Sequence, residues 1–414
     1  MAAWDSNPSV TIAGLTWDAR TLNRIMIRMG RESVDDQPRA GYCTVSLLNH
    51  DNVTAGQLNV NDLGWVTIED SAGASQRVFT GYVTDIRRSL VDVGPNGQVA
   101  VVDITMVGPL GRLSRRETDP SYDKQFDGDR VAAILEDVFT TTWSEVTPTL
   151  EWEDVDPVLT WATYDPGYAG TIEQPGAYEL TAYSGGVVEA LSLAQAAASS
   201  ALGVLYEEPD GTISYDTATT RITRVANNGY TELSSDYCFG VGLASVTNSA
   251  QIINRMRLTY KNNQVVSGEE TASQALYGLF SAQRSTQLED GTAAQQQVDL
   301  YMTTRAYPRI SLEAISIPLH NPNLPDAIRN TLVGVYCGLP LSIPDLPLQI
   351  DNEPFTGFIE GWTWQIDRET ATLTMNVSDY ALTAISVQWN QVPASELWNT
   401  LTPTLTWETA RTVA

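Results

Sequence analysis

At 414 residues the chain exceeds one typical core and points to two to four domains of roughly 100 to 200 residues each. With 43% hydrophobic and 18% charged residues it has a globular balance, which excludes long disordered stretches. Fifty acidic against 24 basic residues give a formal charge of −26, which disfavours sequence-independent binding to nucleic acid or to an anionic membrane surface.

The first 117 residues read as strands. Tyr42 to Leu48, Trp65 to Glu69, Val78 to Ile86 and Val99 to Val107 are rich in β-branched and aromatic residues, and turn clusters such as VGPNG at Val93 to Gly97 separate them. This predicts a first β-barrel over 1–117. The pattern then changes period. Asp129 to Phe139 places Val131, Ile134, Leu135, Val138 and Phe139 at helical spacing, and a second helix is predicted over Val187 to Leu202, stopped by Gly203. Val204 to Asp216 reads as a hairpin around Pro209, Asp210 and Gly211. Residues 118–235 are therefore expected to be an α+β insertion. Strand pattern returns at Ile252 to Tyr260, then a helix around Ala293 to Tyr307, then strands at Ile310 to Ile317, Phe355 to Ile366 and Ala371 to Val377. This predicts a second barrel over 236–387 with an inserted helix. FTGY at Phe79 to Tyr82 is echoed by FTGF at Phe355 to Phe358, which suggests that the two barrels are related.

A second repeat is sharper. Trp143, Trp152 and Trp161 stand nine apart, as do Trp389, Trp398 and Trp407, and three of the four intervals fit W-x-x-[VL]-x-P-x-L-x-W. The proline excludes a continuous helix, and an odd step would alternate faces in a strand, so a turn at each proline is expected. Tryptophan buries large area and is enriched at interface hot spots, which makes these six residues candidate partner-binding positions in segment 143–161 and in a C-terminal arm, 388–414. The alternative is that they pin their own segments to the body of the protein.

Catalytic patterns are absent. The chain has only two histidines, His50 and His320, in separate loops, and no GxSxG, HExxH, P-loop or Cys/His nucleophile pattern. Adjacent acids such as Asp35 with Asp36, Glu207 with Glu208 and Glu289 with Asp290 are ordinary in a chain with 50 of them. Cys43, Cys238 and Cys337 lack disulfide or zinc spacing and read as buried thiols. No catalytic residue, cofactor or metal is expected. The N-terminal MAAWDSNPSV has no signal-peptide pattern, and no window is apolar enough to insert in a membrane. Of the basic residues only Lys124 and Lys261 are lysine, a skew that suits bidentate pairing at interfaces and equally fits codon bias.

The order of VFTGYVTDI (Val78 to Ile86), ALGVLYEEPDGTISYDTATTR (Ala201 to Arg221), IINRMRLTY (Ile252 to Tyr260) and FTGFIEGWTWQIDRETATLTMNVSDYAL (Phe355 to Leu382) resembles the tail hub, or baseplate hub, family of long-tailed bacteriophages, often described as minor tail proteins in phages of actinobacteria. The resemblance implies a mainly β chain whose two tube-forming β-barrels make a pseudo-sixfold ring as a homotrimer. It also implies a structural place at the tail tip, with the distal tail protein ring, the tape-measure protein and other tail-tip or fibre proteins as partners. DNA would pass through without being specifically bound. A glycan-binding tail-tip protein and a tail-associated cell-wall hydrolase are the alternative functions.

Overall fold

The computed structural model describes residues 4–49, 57–92, 98–141, 163–164, 169–238, 242–351, 354–368 and 370–383. His50 and all six repeat tryptophans lie outside the described residues.

The expected strands form. The first half contributes β1 (Ser9–Ile12), β2 (Leu15–Trp17), β3 (Leu22–Gly30), β4 (Tyr42–Asn49), β5 (Leu63–Glu69), β6 (Ser75–Asp92) and β7 (Gln98–Val107). Their faces follow the sequence alternation: Ile25, Ile27 and Met29 of β3 point into the core while Arg24, Met26 and Arg28 do not. After β7 come α1 (Pro109–Leu113), α2 (Asp127–Phe139) and α3 (Ala190–Ser200), then the hairpin β8 (Val204–Glu207) and β9 (Ile213–Asp216), and α4 (Thr220–Asn228). Gly211 in the hairpin turn has φ +93°, the left-handed region that glycine reaches at no steric cost. Helix α3 is shorter than its pattern because Val188–Glu189 pairs with Glu117–Thr118 instead.

The remainder supplies β10 (Leu243–Thr247), β11 (Arg255–Tyr260), β12 (Gln264–Glu269), β13 (Ser281–Ser285), α5 (Gly291–Arg305), β14 (Ile310–Pro318), β15 (Pro340–Ile343), β16 (Phe355–Asp367) and β17 (Ala371–Asp379). Strands β11, β12 and β13 form a separate three-stranded sheet covered by α5, so the IINRMRLTY strand is not part of the sheet that holds FTGF.

One 13-stranded sheet links the two halves. The first half contributes the order β5-β6-β7-β4-β3 and the second the order β15-β16-β17-β14-β10, joined by antiparallel pairing of β3 with β16. Each block has the same construction. In both, FTG lies in the long strand of the hairpin, and in both a bulge follows: Tyr82 pairs with Val107 and Val83 with Met106, then Asp85 with Thr105, while Phe358 pairs with Ser378 and Ile359 with Val377, then Gly361 with Asn376. The shared glycine has a shared cause. A Cβ on Gly81 would lie 2.7 Å from the Val107 carbonyl oxygen and 2.8 Å from the Phe79 ring, and one on Gly357 would lie 2.0 Å from the Ser378 carbonyl oxygen and 2.6 Å from the Phe355 ring. The four-residue echo is thus the visible part of a repeated five-strand block. Pairing among the described residues leaves the sheet open in both halves and closes neither into a barrel.

Two apolar cores hold the molecule. One runs through both β blocks and across their seam, with Ile25 and Ile27 of β3 beside Trp362, Trp364 and Ile366 of β16, each at most 1% exposed. The other joins α1, α2, α3, the β8–β9 hairpin, β11 and α5. No helix among the described residues is long and apolar enough to cross a membrane.

Candidate functional site

The seam between the two blocks is where polar chemistry concentrates. Strand β16 reads FTGFIEGWTWQID, and midway its apolar and aromatic residues are interrupted by an acid, Glu360, which occupies the bulge and is 1% exposed. A lone carboxylate in such a place must be neutralised, because an unpaired buried charge is too costly to keep. Two arginines meet it. Arg31, the residue after β3, donates from Nε to Oε2 at 2.6 Å. Arg221 of α4 forks onto it, from Nη1 to Oε1 at 2.5 Å and from Nη2 to Oε2 at 2.8 Å, and Ser378 Oγ donates to Oε1. Burial alone would raise this carboxyl, yet Arg221 and then Arg31 hold it well below the usual carboxylate range.

The backbone is shaped to allow this. The Arg31 amide donates to the Glu360 carbonyl at 3.0 Å. Gly30, at φ +80°, has no room for a side chain: a Cβ would sit 2.4 Å from the Glu360 carbonyl oxygen. One on Gly361 would sit 2.5 Å from the Arg31 carbonyl oxygen.

A second fork lies alongside. Arg224, one turn beyond Arg221, donates from Nη1 to Asp216 Oδ2 at 2.5 Å and from Nη2 to Oδ1 at 2.8 Å, and also reaches the Cys337 carbonyl at 3.1 Å. Helix α4 therefore ties the hairpin of the insertion to the second block, while Arg221 ties it to the seam. On the opposite side Glu207 of β8 accepts from the amides of Gly41 at 2.9 Å and Leu110 at 2.7 Å, fastening the hairpin to the first block. No cation neutralises Glu207 in these contacts, and burial pushes its carboxyl up to about 8. Deeper in the insertion, Asp127 accepts from the Tyr215 hydroxyl at 2.5 Å and the Tyr178 amide at 2.6 Å.

These groups bridge the parts of the fold. Both carboxylate oxygens of Glu360 are spent on the arginines and Ser378. The adjacent acids of the sequence are engaged too: Asp35 pairs with Arg284 and Arg305, Glu289 with Lys261, and Asp290 caps α5 by accepting from the Thr292 amide. His320 sits exposed in a loop, and among the described residues no cluster of three or more His, Cys, Asp or Glu is placed to hold a metal ion. The three cysteines are free thiols, two of them buried.

The structure engages residues that the sequence did not mark out, Arg31, Asp216, Arg221, Arg224 and Glu360, and gives Glu207, noted only as one of an adjacent acid pair, a buried bridging place. One signal could have found Glu360, an acid in the middle of a strand otherwise rich in apolar and aromatic residues. Its arginine partners carry no such mark, being 329 and 139 residues away.

Two solved structures superpose on most of this chain. The tail protein from Neisseria meningitidis MC58 superposes with a TM-score of 0.59 at 13% identity, over 92% of this chain and 98% of its own. The 43 kDa tail protein of prophage MuSo2 from Shewanella oneidensis superposes at 0.58 with 9% identity, over 91% of this chain and 99% of its own. The chain has the fold of these two tail proteins. No protein-family model matches the sequence, and no curated protein matches it either. Across the seam, the Glu360 cluster links the end of the first block to the second.

Proposed function

We propose that the chain is the hub at the distal tip of a bacteriophage tail tube. The observation that carries this is the duplicated five-strand block in one chain with a tail-protein fold. Two tube-forming modules per chain let a homotrimer present six similar units, a pseudo-sixfold ring that matches a sixfold tube. The first module is 1–117 and the second 236–387; the insertion is 118–235. Such a ring joins the tube and the distal tail protein to the tip or receptor-binding apparatus, meets the tape-measure protein, and forms the DNA exit channel.

The charge suits that channel. Three chains carry a formal −78 (3 × −26), more acid than their arginines and lysines neutralise. An acidic lumen repels phosphate, so DNA slides through without binding wells. The repeats at Trp143, Trp152, Trp161, Trp389, Trp398 and Trp407 dock on other tail-tip or fibre proteins. The role is structural, without catalysis or cofactor; the hub is assembled in the host cytoplasm and resides at the virion tail tip.

Light-scattering mass of the protein, followed by imaging of assembled tails, tests this reading. A trimeric ring with an acid-lined lumen is expected; a monomer in assembled tails, or a lumen lined mainly by arginine, refutes it. Cell-wall zymograms should stay dark, and a clearing band abolished by a single acidic substitution would establish the hydrolase instead.

A further inference from the structure

The seam inside the chain is a template for a seam between copies. Strand β16 is shared along its length: Phe355 to Phe358 pair with β15, and Gly361 to Asp367 pair with β3. Its counterpart β6 is used only in part. Ser75 to Tyr82 pair with β5, but among the described residues no strand lies on that side of the stretch beyond the bulge, 85–92, which pairs with β7 alone. The counterpart of β3 is β10, the last strand of the sheet, which pairs with β14 on one side and with no strand among the described residues on the other. Among the described residues the first block thus lacks a partner where the second has β3, and β10, in the position of β3, lacks a counterpart of β16.

The correspondence can be followed residue by residue. Ile366 pairs with Ala371 across its hairpin, and Leu90 pairs with Ala100 across the other. Ile25 pairs with Val45, which pairs with Ile104, itself opposite Ile86; Leu243 pairs with Ile315, which pairs with Met375, itself opposite Trp362. Leu90 therefore stands where Ile366 does, and Leu243 where Ile25 does. Within the chain Ile25 and Ile366 face each other, 0% and 1% exposed. Leu90 is 68% exposed. A large apolar side chain on an open strand edge is a liability that a specific partner removes.

We infer that β6 beyond its bulge pairs antiparallel with β10 of a second copy, with Leu90 opposite Leu243 and Ser89 opposite Ala244 of that copy. The two strands are different surfaces, so the contact is heterologous, and repetition generates a ring when the rotation closes. In a ring of three, three seams of this kind alternate with the three internal β3–β16 seams and give all six blocks the same neighbours. The occupant is argued from the chain's own internal seam: only a strand preceded by the same block geometry presents an edge at the matching height and direction. Thr84 stands at the bulge position that Glu360 occupies in the second block, so the seam between copies has no counterpart of the buried carboxylate and relies on strand pairing and apolar contact. This inference rests on the ring reading above and specifies its contact.

Cysteine pairing tests it. Facing residues of an antiparallel pair have Cα atoms roughly 4.5 to 5.5 Å apart, within disulfide reach. Full-length chain carrying both L90C and L243C should, on mild oxidation, run as covalently closed trimers under non-reducing conditions. Each single variant should remain uncrosslinked. Mixing the two single variants should give covalent dimers of one chain of each kind, with the disulfide between the two introduced thiols found by peptide mass spectrometry. The variant L90D, whose carboxylate would have to be buried at the seam, should keep the urea midpoint of the monomer and lose the trimer. Trimers that form without either linkage, or that survive L90D unchanged, overturn the strand pairing and leave the ring reading standing. Absence of any trimer, in isolated protein and in assembled tails alike, overturns both.

Discussion

Replacing Glu360 by glutamine perturbs the seam at its most constrained point. The substitution keeps volume but removes the one negative charge that faces Arg31 and Arg221, whose side chains are 4% and 7% exposed. It also turns one acceptor oxygen into an NH₂ that confronts arginine donors. Removing one member of a buried ion cluster leaves the others uncompensated and costs about 3–5 kcal/mol, a large share of a total folding stability on the order of 5–15 kcal/mol. With a urea slope of about 3 kcal/mol per M, the midpoint should fall by about 1 to 1.7 M. Urea titrations followed by circular dichroism and by tryptophan fluorescence should agree on this shift. The pH dependence has a definite sign. Because the folded carboxyl is held below its ordinary value of 4.5, its contribution is complete above that value and fades as pH falls towards the folded one. The gap between wild type and variant should therefore be constant from pH 5 to 8 and narrow only below about pH 4. Arg221→Met combined with Glu360→Gln should cost less than the sum of the singles. A Glu360→Gln midpoint within about 0.3 M of wild type, or a gap that widens in acid, would show that the cluster does not hold the seam.

Glu207 behaves oppositely. Its folded carboxyl lies at about 8 against an ordinary 4.5, so between those values the unfolded chain releases a proton that the fold retains, and stability should fall with rising pH by at most about 1.4 kcal/mol per unit. Glu207→Gln should flatten the decline of the urea midpoint between pH 5 and 8, and an unchanged slope would contradict the assignment. Gly361→Ala forces a Cβ to 2.5 Å from the Arg31 carbonyl oxygen and should destabilise by about 1–3 kcal/mol. Gly186→Ala, with nothing within 4 Å of its Cβ, should stay within about 0.5 kcal/mol of wild type in the same melt. Truncation after residue 387 removes Trp389, Trp398 and Trp407; the product should fold with an unchanged circular dichroism spectrum yet assemble poorly into tails, and normal assembly and infectivity would dismiss the docking role.

Strands and helices were legible where one pattern dominates a segment. Val99 to Val107 and Ala371 to Val377 alternate or run apolar between turns, and Asp129 to Phe139 keeps a helical stripe, so local burial alone dictates their conformation. The FTGY and FTGF echo was legible as well, because its glycine answers a steric demand that recurs wherever that hairpin is built. The seam cluster was not legible. An arginine on a strand end and another on a short helix look like any solvated charge until the fold brings both to Glu360.

Composition, period and the FTG echo by themselves therefore determined that the chain is mainly β with helical insertions, that it carries two related blocks, and that its surplus acid disfavours phosphate binding. Which sheet each strand joins was decided only by tertiary structure: β11 has the strand pattern of its neighbours, yet it pairs with β12 and β13 under α5. The same holds for the β3–β16 pairing that fuses the blocks and for the buried charges that lock it. The physical reason is one of range. Period and turn chemistry act over a few residues, whereas strand partnership and charge neutralisation depend on edges and side chains hundreds of residues apart, which acquire their meaning only once the two blocks lie side by side.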